Sequence, residues 1–104
     1  SEGLLALSEA MLQTRDAQTA LTTSVHAQEI FARLGKQDFE WLAWLNAARA
    51  SKGLGDESKT RESARRSADL LAGLEQRWGV DYYNSYLKRP DIDFFRKQLS
   101  DLLR

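Results

Sequence analysis

The sequence has no cysteine among its 104 residues, so it can form no disulfide and offers no thiolate for catalysis or metal binding. This absence is typical of reducing compartments, and we expect a cytoplasmic protein. No apolar run approaches the roughly 20 residues that a transmembrane helix needs. The first residues also lack the basic segment that opens a signal peptide, so we expect no membrane partner.

An excess of charge of either sign is also missing. Lys and Arg together number 15, as do Asp and Glu, so the formal charges cancel at neutral pH. A balanced chain has no long-range field that draws it to nucleic acid or to an anionic membrane. Only local patches of charge are therefore left as candidates for such contacts.

Helix breakers are scarce, because the chain has one proline and six glycines. Its apolar residues recur every three or four positions, and no stretch alternates as a half-buried strand does. The sequence therefore predicts an all-α fold in one domain, residues 1–104. The predicted helices cover about 4–13, 17–34, 38–53 and 57–78, and a last helix follows a short aromatic segment that Pro90 ends.

Short polar residues mark the predicted helix starts. We expect Asp38 to cap the third helix, Asp56 or Ser58 to cap the fourth, and Asp91 to cap the last. Gly35 is placed where a glycine commonly ends a helix.

The third predicted helix is apolar on two faces, and this predicts that it lies between two neighbours. One face consists of Trp41, Trp44, Leu45 and Ala48, and the other of Ala43, Ala47, Ala50 and Leu54. Each of the two flanking helices carries a single stripe of small and apolar residues. In the second helix the stripe consists of Ala20, Ser24, Ala27, Phe31 and Leu34. In the fourth helix it consists of Ala64, Ser67, Leu71, Leu74 and Trp78.

The chain also contains an internal repeat. A shift of about 40 residues aligns the first two predicted helices with the next two, and small residues match small and large match large at nearly every position compared. Aligned pairs include Leu4 with Trp44, Leu7 with Ala47, Met11 with Ser51, Asp16 with Asp56, Ala27 with Ser67, and Phe31 with Leu71.

The second copy resembles a tetratricopeptide repeat in Trp44, Ala47 and Ala48, in the Gly55–Asp56 turn, and in the small residues Thr60, Ala64 and Ser67. The first copy has the same frame in Leu7, Ser8, Asp16, Ala20, Ser24 and Ala27. The period exceeds the usual one of about 34 residues, as in long-helix variants of bacterial multidomain signalling proteins. The resemblance implies an antiparallel helix-pair solenoid with repeats at 4–34 and 37–78 and a C-terminal capping segment and helix at 80–104.

The function that this resemblance implies is that of a non-catalytic protein-interaction or scaffold module, the C-terminal part of a larger bacterial signalling or regulatory protein. Its partner is then a protein or peptide segment, or another domain of the parent chain. The ligand-facing positions are Leu42, Leu45, Asn46 and Arg49 in the second copy, and Glu2, Leu5, Ala6 and Glu9 in the first. Among relatives that clamp a peptide carboxylate, these positions hold Lys, Asn and Arg, and here Asn46 and Arg49 conform. Alternatively, Leu42 and Leu45 pack on a neighbouring element.

Two alternative functions remain open. Lys59, Arg61, Arg65 and Arg66 form a basic cluster that could contact nucleic acid or another anionic partner, although Glu57, Glu62 and Asp69 interleave with it. An apolar end of the repeat array could instead pair two copies of the chain.

Six of the ten aromatic residues crowd into or directly before the last quarter of the chain. They are Trp78, Tyr82, Tyr83, Tyr86, Phe94 and Phe95. A base-stacking platform would need a basic groove beside them, so we expect them to cap the open end of the helix stack.

Catalytic and metal-binding patterns are incomplete. His26 and Glu29 are three residues apart, but a metal site needs three or four converging ligands. A catalytic triad would depend on the same single histidine, and "GLGD" lacks the spacing of a phosphate-binding loop. We therefore expect no enzyme activity, no cofactor and no metal.

Overall fold

The computed structural model describes residues 16–104, and every regular element in that range is an α-helix. The helices are α1 (Ala17–Leu34), α2 (Gln37–Gly53), α3 (Glu57–Trp78), α4 (Val80–Lys88) and α5 (Pro90–Leu103). The all-α prediction is confirmed for this range. None of these helices combines the length and the apolar character needed to cross a bilayer. The helix predicted at 4–13 lies outside the described residues, as do the first-copy positions Glu2, Leu4, Leu5, Ala6, Leu7, Ser8, Glu9 and Met11.

Aspartate side chains begin two of the helices. Asp16 Oδ1 accepts a hydrogen bond from the backbone N–H three residues later at 3.3 Å, and Asp56 Oδ1 does the same at 3.0 Å. Of the two candidates at the start of α3, Asp56 rather than Ser58 is therefore the cap. Gly35 ends α1 in the left-handed conformation, with φ of 68°, as its position in the sequence predicted.

The predicted caps of α2 and α5 are both wrong by two positions. Helix α2 begins at Gln37 after Lys36, which makes no side-chain cap, and Asp38 lies within the first turn. Helix α5 begins at Pro90, because the fixed φ of proline suits the first helical position, and Asp91 follows it. Both aspartates still lie in a first turn, where the helix dipole favours negative charge.

One face of α2 packs on α1 through small side chains. Ala47 and Ala50 form a buried cluster with Ala20 and Leu21 of α1. Near the other end, Ala43 packs with Ala27 and Phe31. The axes approach so closely that a Cβ atom added to Gly53 would lie 3.2 Å from that of Ala17. Since Gly53 ends α2 and Ala17 begins α1, the two helices are antiparallel.

The opposite face of α2 packs on α3 and on the C-terminal helices. Trp41, Leu45 and Ala48 belong to the largest core cluster, together with Ala64, Leu71 and Leu74 of α3, Tyr86 of α4, and Ile92 and Leu99 of α5. Near the start of this face, the Ser67 hydroxyl donates a 2.6 Å hydrogen bond to the carbonyl oxygen of Trp41. The two-faced character predicted for α2 is therefore confirmed, and α2 lies between α1 and α3.

Four residues predicted in these stripes are less buried than expected, and one of them, Trp78 at the end of α3, is half-buried. Leu34 is 62% exposed because it is the last residue of α1, and Leu54 is 44% exposed because it lies in the turn after α2. Trp44 is half-buried at the edge of the core, and its indole N–H donates to Glu40 Oε2 at 3.1 Å.

Helices α4 and α5 cover the end and the side of the α2–α3 pair. Tyr86 of α4 is buried against Trp78, whose ring centroid lies 4.9 Å away in an edge-on geometry. Helix α5 then turns back at Pro90 and contacts both α2 and α3. Of the other aromatic residues predicted to cap the stack, Tyr83 and Phe95 are half-buried, whereas Tyr82 and Phe94 are exposed.

Candidate binding groove between helices α2 and α5

The residues that the resemblance assigns to a partner site differ in their accessibility. Leu45 is fully buried in the core, and Leu42 packs against the core half-buried. Only 5% of Asn46 is exposed, whereas Arg49 is half-buried. Because α5 packs on α2, and Leu99 of α5 shares the core with Leu45, part of this face of α2 is covered by the C-terminal helix. Arg49 lies farther along α2, where a groove opens to solvent.

This groove lies between the last turns of α2 and α5. One part has a volume of about 300 Å³ and is lined by Arg49, Lys52, Gln98, Asp101 and Leu102. A second part of about 390 Å³ shares Lys52, Asp101 and Leu102 with it and extends to Gly55, Glu57, Thr60, Arg61 and Arg104. Because three lining residues are common, we treat both parts as one surface and call it the α2–α5 groove.

Helical spacing explains how the walls of the groove form. Arg49 and Lys52 are three residues apart, so they lie on one face of α2, and Gln98 and Asp101 do the same on α5. Helix α5 starts beside the end of α3 and runs antiparallel to it, which brings its last turn to the start of α3. The α2–α3 turn therefore closes one end of the groove.

Positive side chains outnumber negative ones along the groove. Arg49, Lys52, Arg61 and Arg104 supply four positive charges, and Glu57 and Asp101 supply two negative ones. Arg104 Nη2 pairs with Asp101 Oδ1 at 3.3 Å, on largely exposed side chains. Within residues 16–104, Lys52 and Arg61 form no ion pair and are exposed. Two cations thus face solvent without a neutralising carboxylate.

The wall formed by α5 contains an acceptor without a donor. Gln98 Oε1 is buried and has no hydrogen-bond partner among the described residues. A buried acceptor in this state costs about 1–3 kcal/mol relative to a paired one. Because this oxygen is shielded from solvent, it is not open to a ligand in the groove.

The outer face of α3 is the other charged surface. A groove of about 460 Å³ there is lined by Arg61, Glu62, Arg65, Arg66 and Asp69, so both signs are present. Arg66 Nε lies 3.9 Å from Glu62 Oε1, and the guanidinium of Arg66 lies 5.3 Å from the centroid of the Trp44 ring. The basic cluster predicted from Lys59 to Arg66 is therefore divided, since Arg61 also lines the α2–α5 groove while Arg66 contacts Trp44.

The histidine that could have suggested a metal site lies on the surface. His26 and Glu29 are both exposed on α1. Across residues 16–104, the structure brings together no group of three or more histidine, aspartate or glutamate side chains that could hold a metal ion.

Sequence reasoning placed Arg49 at a candidate partner surface but did not identify the residues beside it. Lys52 follows Arg49 at helical spacing and could have been added from the pattern. The pattern within α2 could not identify Gln98, Asp101 and Arg104, because their position in the groove depends on how α5 folds back. Comparisons with protein-family models, curated proteins and solved structures found no match to this chain.

Proposed function

We propose that the chain is a non-catalytic protein-interaction module built as a tetratricopeptide-like helix stack. In this proposal it is a cytoplasmic scaffold segment and the C-terminal part of a larger bacterial regulatory protein. The observation that supports it best is the position of α2, which packs on α1 through alanines and on α3 through larger side chains. Helices that are apolar on two faces and stacked side by side are typical of repeat proteins that present an extended binding surface.

The partner in this proposal is a protein or peptide segment, or another domain of the parent chain. The partner contacts the end of α2 that α5 leaves open, beside Arg49, while Leu42, Leu45 and Asn46 support that surface from the interior side of the helix. Charged side chains around such a groove steer and select a partner more than they add affinity.

The test is affinity capture from extracts of the source organism, with quantitative mass spectrometry of the retained proteins. The protein is compared with Lys52→Glu in the groove and with Lys88→Glu as control, since each residue is the basic one in the last turn of its helix. The two changes therefore disturb the helix dipole alike. We expect a set of proteins that Lys88→Glu retains and Lys52→Glu loses.

Identical sets for all three proteins would contradict a partner site in the groove. Sedimentation velocity of the isolated protein separates a foreign partner from a second copy of this chain. A dimer that Lys52→Glu dissociates and Lys88→Glu does not would assign the groove to self-association instead.

A further inference from the structure

We propose that the α2–α5 groove binds an acidic peptide segment that also carries an apolar side chain. The inference rests on the proposed interaction function and specifies the chemistry of its partner. It depends on two features of the groove: its excess of positive charge and its half-buried leucine.

The charge of the groove selects a partner with carboxylates. Lys52 and Arg61 belong to the 390 Å³ part of the groove, and within residues 16–104 neither has an ion-pair partner. Arg104 is held by Asp101 through an exposed contact that a competing carboxylate can replace. Glutamate or aspartate side chains of a partner therefore find up to three cations along one surface.

The remaining lining favours a peptide over a uniform polyanion. Leu102 is half-buried and common to both parts of the groove, so it offers an apolar contact between the cations. Glu57 and Asp101 would repel a continuous phosphate backbone, whereas a peptide can place neutral residues opposite them.

This surface differs from the ligand-facing positions that the sequence resemblance suggested. Leu45 is buried and Asn46 is 5% exposed, so neither presents a side chain to a peptide lying across α2. The groove instead combines the end of α2 with the start of α3 and the last turn of α5. Arg61, which the resemblance did not assign to a partner site, becomes one of its main contacts.

Fluorescence anisotropy with defined probes tests the inference. The probes are a short dye-labelled peptide of glutamate and aspartate with two leucines, the same peptide with glutamine and asparagine in place of the acids, and a short single-stranded oligonucleotide. We expect the acidic peptide to bind about tenfold or more tightly than its neutral counterpart, and its affinity to fall as salt is added.

The matched variants are Lys52→Gln with Arg61→Gln in the groove, and Lys88→Gln with Arg65→Gln outside it. All four side chains are exposed, and far-ultraviolet circular dichroism checks that each variant is folded. The groove pair should weaken binding of the acidic peptide about tenfold, because two favourable charges are lost, and the outside pair should leave it unchanged.

Three results would overturn the inference: equal affinity for the acidic and neutral peptides, equal effects of the two variant pairs, or tighter binding of the oligonucleotide than of the peptide. The last of these would assign the groove to nucleic acid. The capture experiment could find a Lys52-dependent partner while the groove shows no preference for acidic peptides. That result would leave the proposed interaction function standing and reject only the acidic-peptide chemistry.

Discussion

The indole N–H of Trp41 donates a 3.0 Å hydrogen bond to the hydroxyl oxygen of Tyr86, 45 residues later in the chain. Trp41 is fully buried and Tyr86 is 9% exposed, so water has little access to this pair. The Tyr86 hydroxyl in turn donates to the carbonyl oxygen of Asp38 at 3.4 Å. These contacts join α4 to the first turns of α2 and hold the C-terminal helices on the α2–α3 pair.

Replacing Tyr86 with phenylalanine should destabilise the protein by about 1–3 kcal/mol. The ring would still fill its site, but the Trp41 N–H would be buried without an acceptor, and such a group costs roughly that much. The control is Tyr82→Phe, because Tyr82 is 64% exposed and a surface change of this kind alters stability by about 0.5 kcal/mol or less. Urea unfolding, monitored by tryptophan fluorescence, measures the stability of both variants. A Tyr86→Phe protein as stable as Tyr82→Phe would contradict the role of the hydrogen bond.

The same tyrosine should make stability fall at alkaline pH. Burial raises the pKa of the Tyr86 phenol above its usual value; the hydrogen bond from Trp41 opposes this rise, and the charge of Asp38 adds to it. The unfolded chain then loses this proton near pH 10, before the folded protein does. Above that pH the unfolded state binds fewer protons, so the free energy of unfolding decreases as pH rises towards and through the folded pKa.

The measurement compares the protein with Tyr86→Phe by urea unfolding between about pH 8 and about pH 11. The variant lacks the phenol, so its stability should fall less steeply over this range. Burial also raises the pKa of Tyr83, but that group is present in both proteins and affects both alike. Equal slopes for the two proteins would show that Tyr86 does not titrate differently on folding.

Two buried serines should respond differently to replacement by alanine. Ser67 Oγ donates to the Trp41 carbonyl oxygen at 2.6 Å, whereas Ser51 Oγ is buried with no partner among the described residues. Both residues are fully buried within helices, so the gain in helix propensity is similar for the two changes. Ser67→Ala should therefore cost about 1 kcal/mol, while Ser51→Ala should be neutral or stabilising.

Chemical unfolding of the two serine variants, run in parallel, gives the comparison directly. A Ser51→Ala protein that loses as much stability as Ser67→Ala would mean that the Ser51 hydroxyl has a partner.

The sequence was sufficient to predict α1 to α3 and their contacts. Apolar residues in these helices recur at helical spacing, and the two faces of α2 differ in size, so alanines predict one close neighbour and Trp41 with Leu45 predict another. The C-terminal region could not be derived in this way. Helix α4 has only nine residues, and its aromatic side chains have modest helix propensity, so its structure depends on contacts such as that of Tyr86 with Trp41.

The candidate site was predictable only in part for the same reason. Arg49 was found because the resemblance assigns it to a ligand-facing position of α2, but it assigns Leu45 there as well, and Leu45 is buried. Whether such a position is open depends on where α5 packs, and this follows from the turn at Pro90 and from the orientation of α4. These are tertiary effects that no periodicity within α2 can report.

Two glycines offer a matched test of backbone conformation. Gly73 lies on the exposed side of α3, and a Cβ atom there would meet nothing within 4 Å, so Gly73→Ala should stabilise the protein by about 0.5–1 kcal/mol through reduced freedom of the unfolded chain. Gly35 also has open space, but its φ of 68° is left-handed, so Gly35→Ala should cost about 1 kcal/mol. Thermal unfolding by circular dichroism should show Tm shifts of opposite sign. A Gly35→Ala protein with a raised Tm would show that the tight turn between α1 and α2 does not require the left-handed conformation at Gly35.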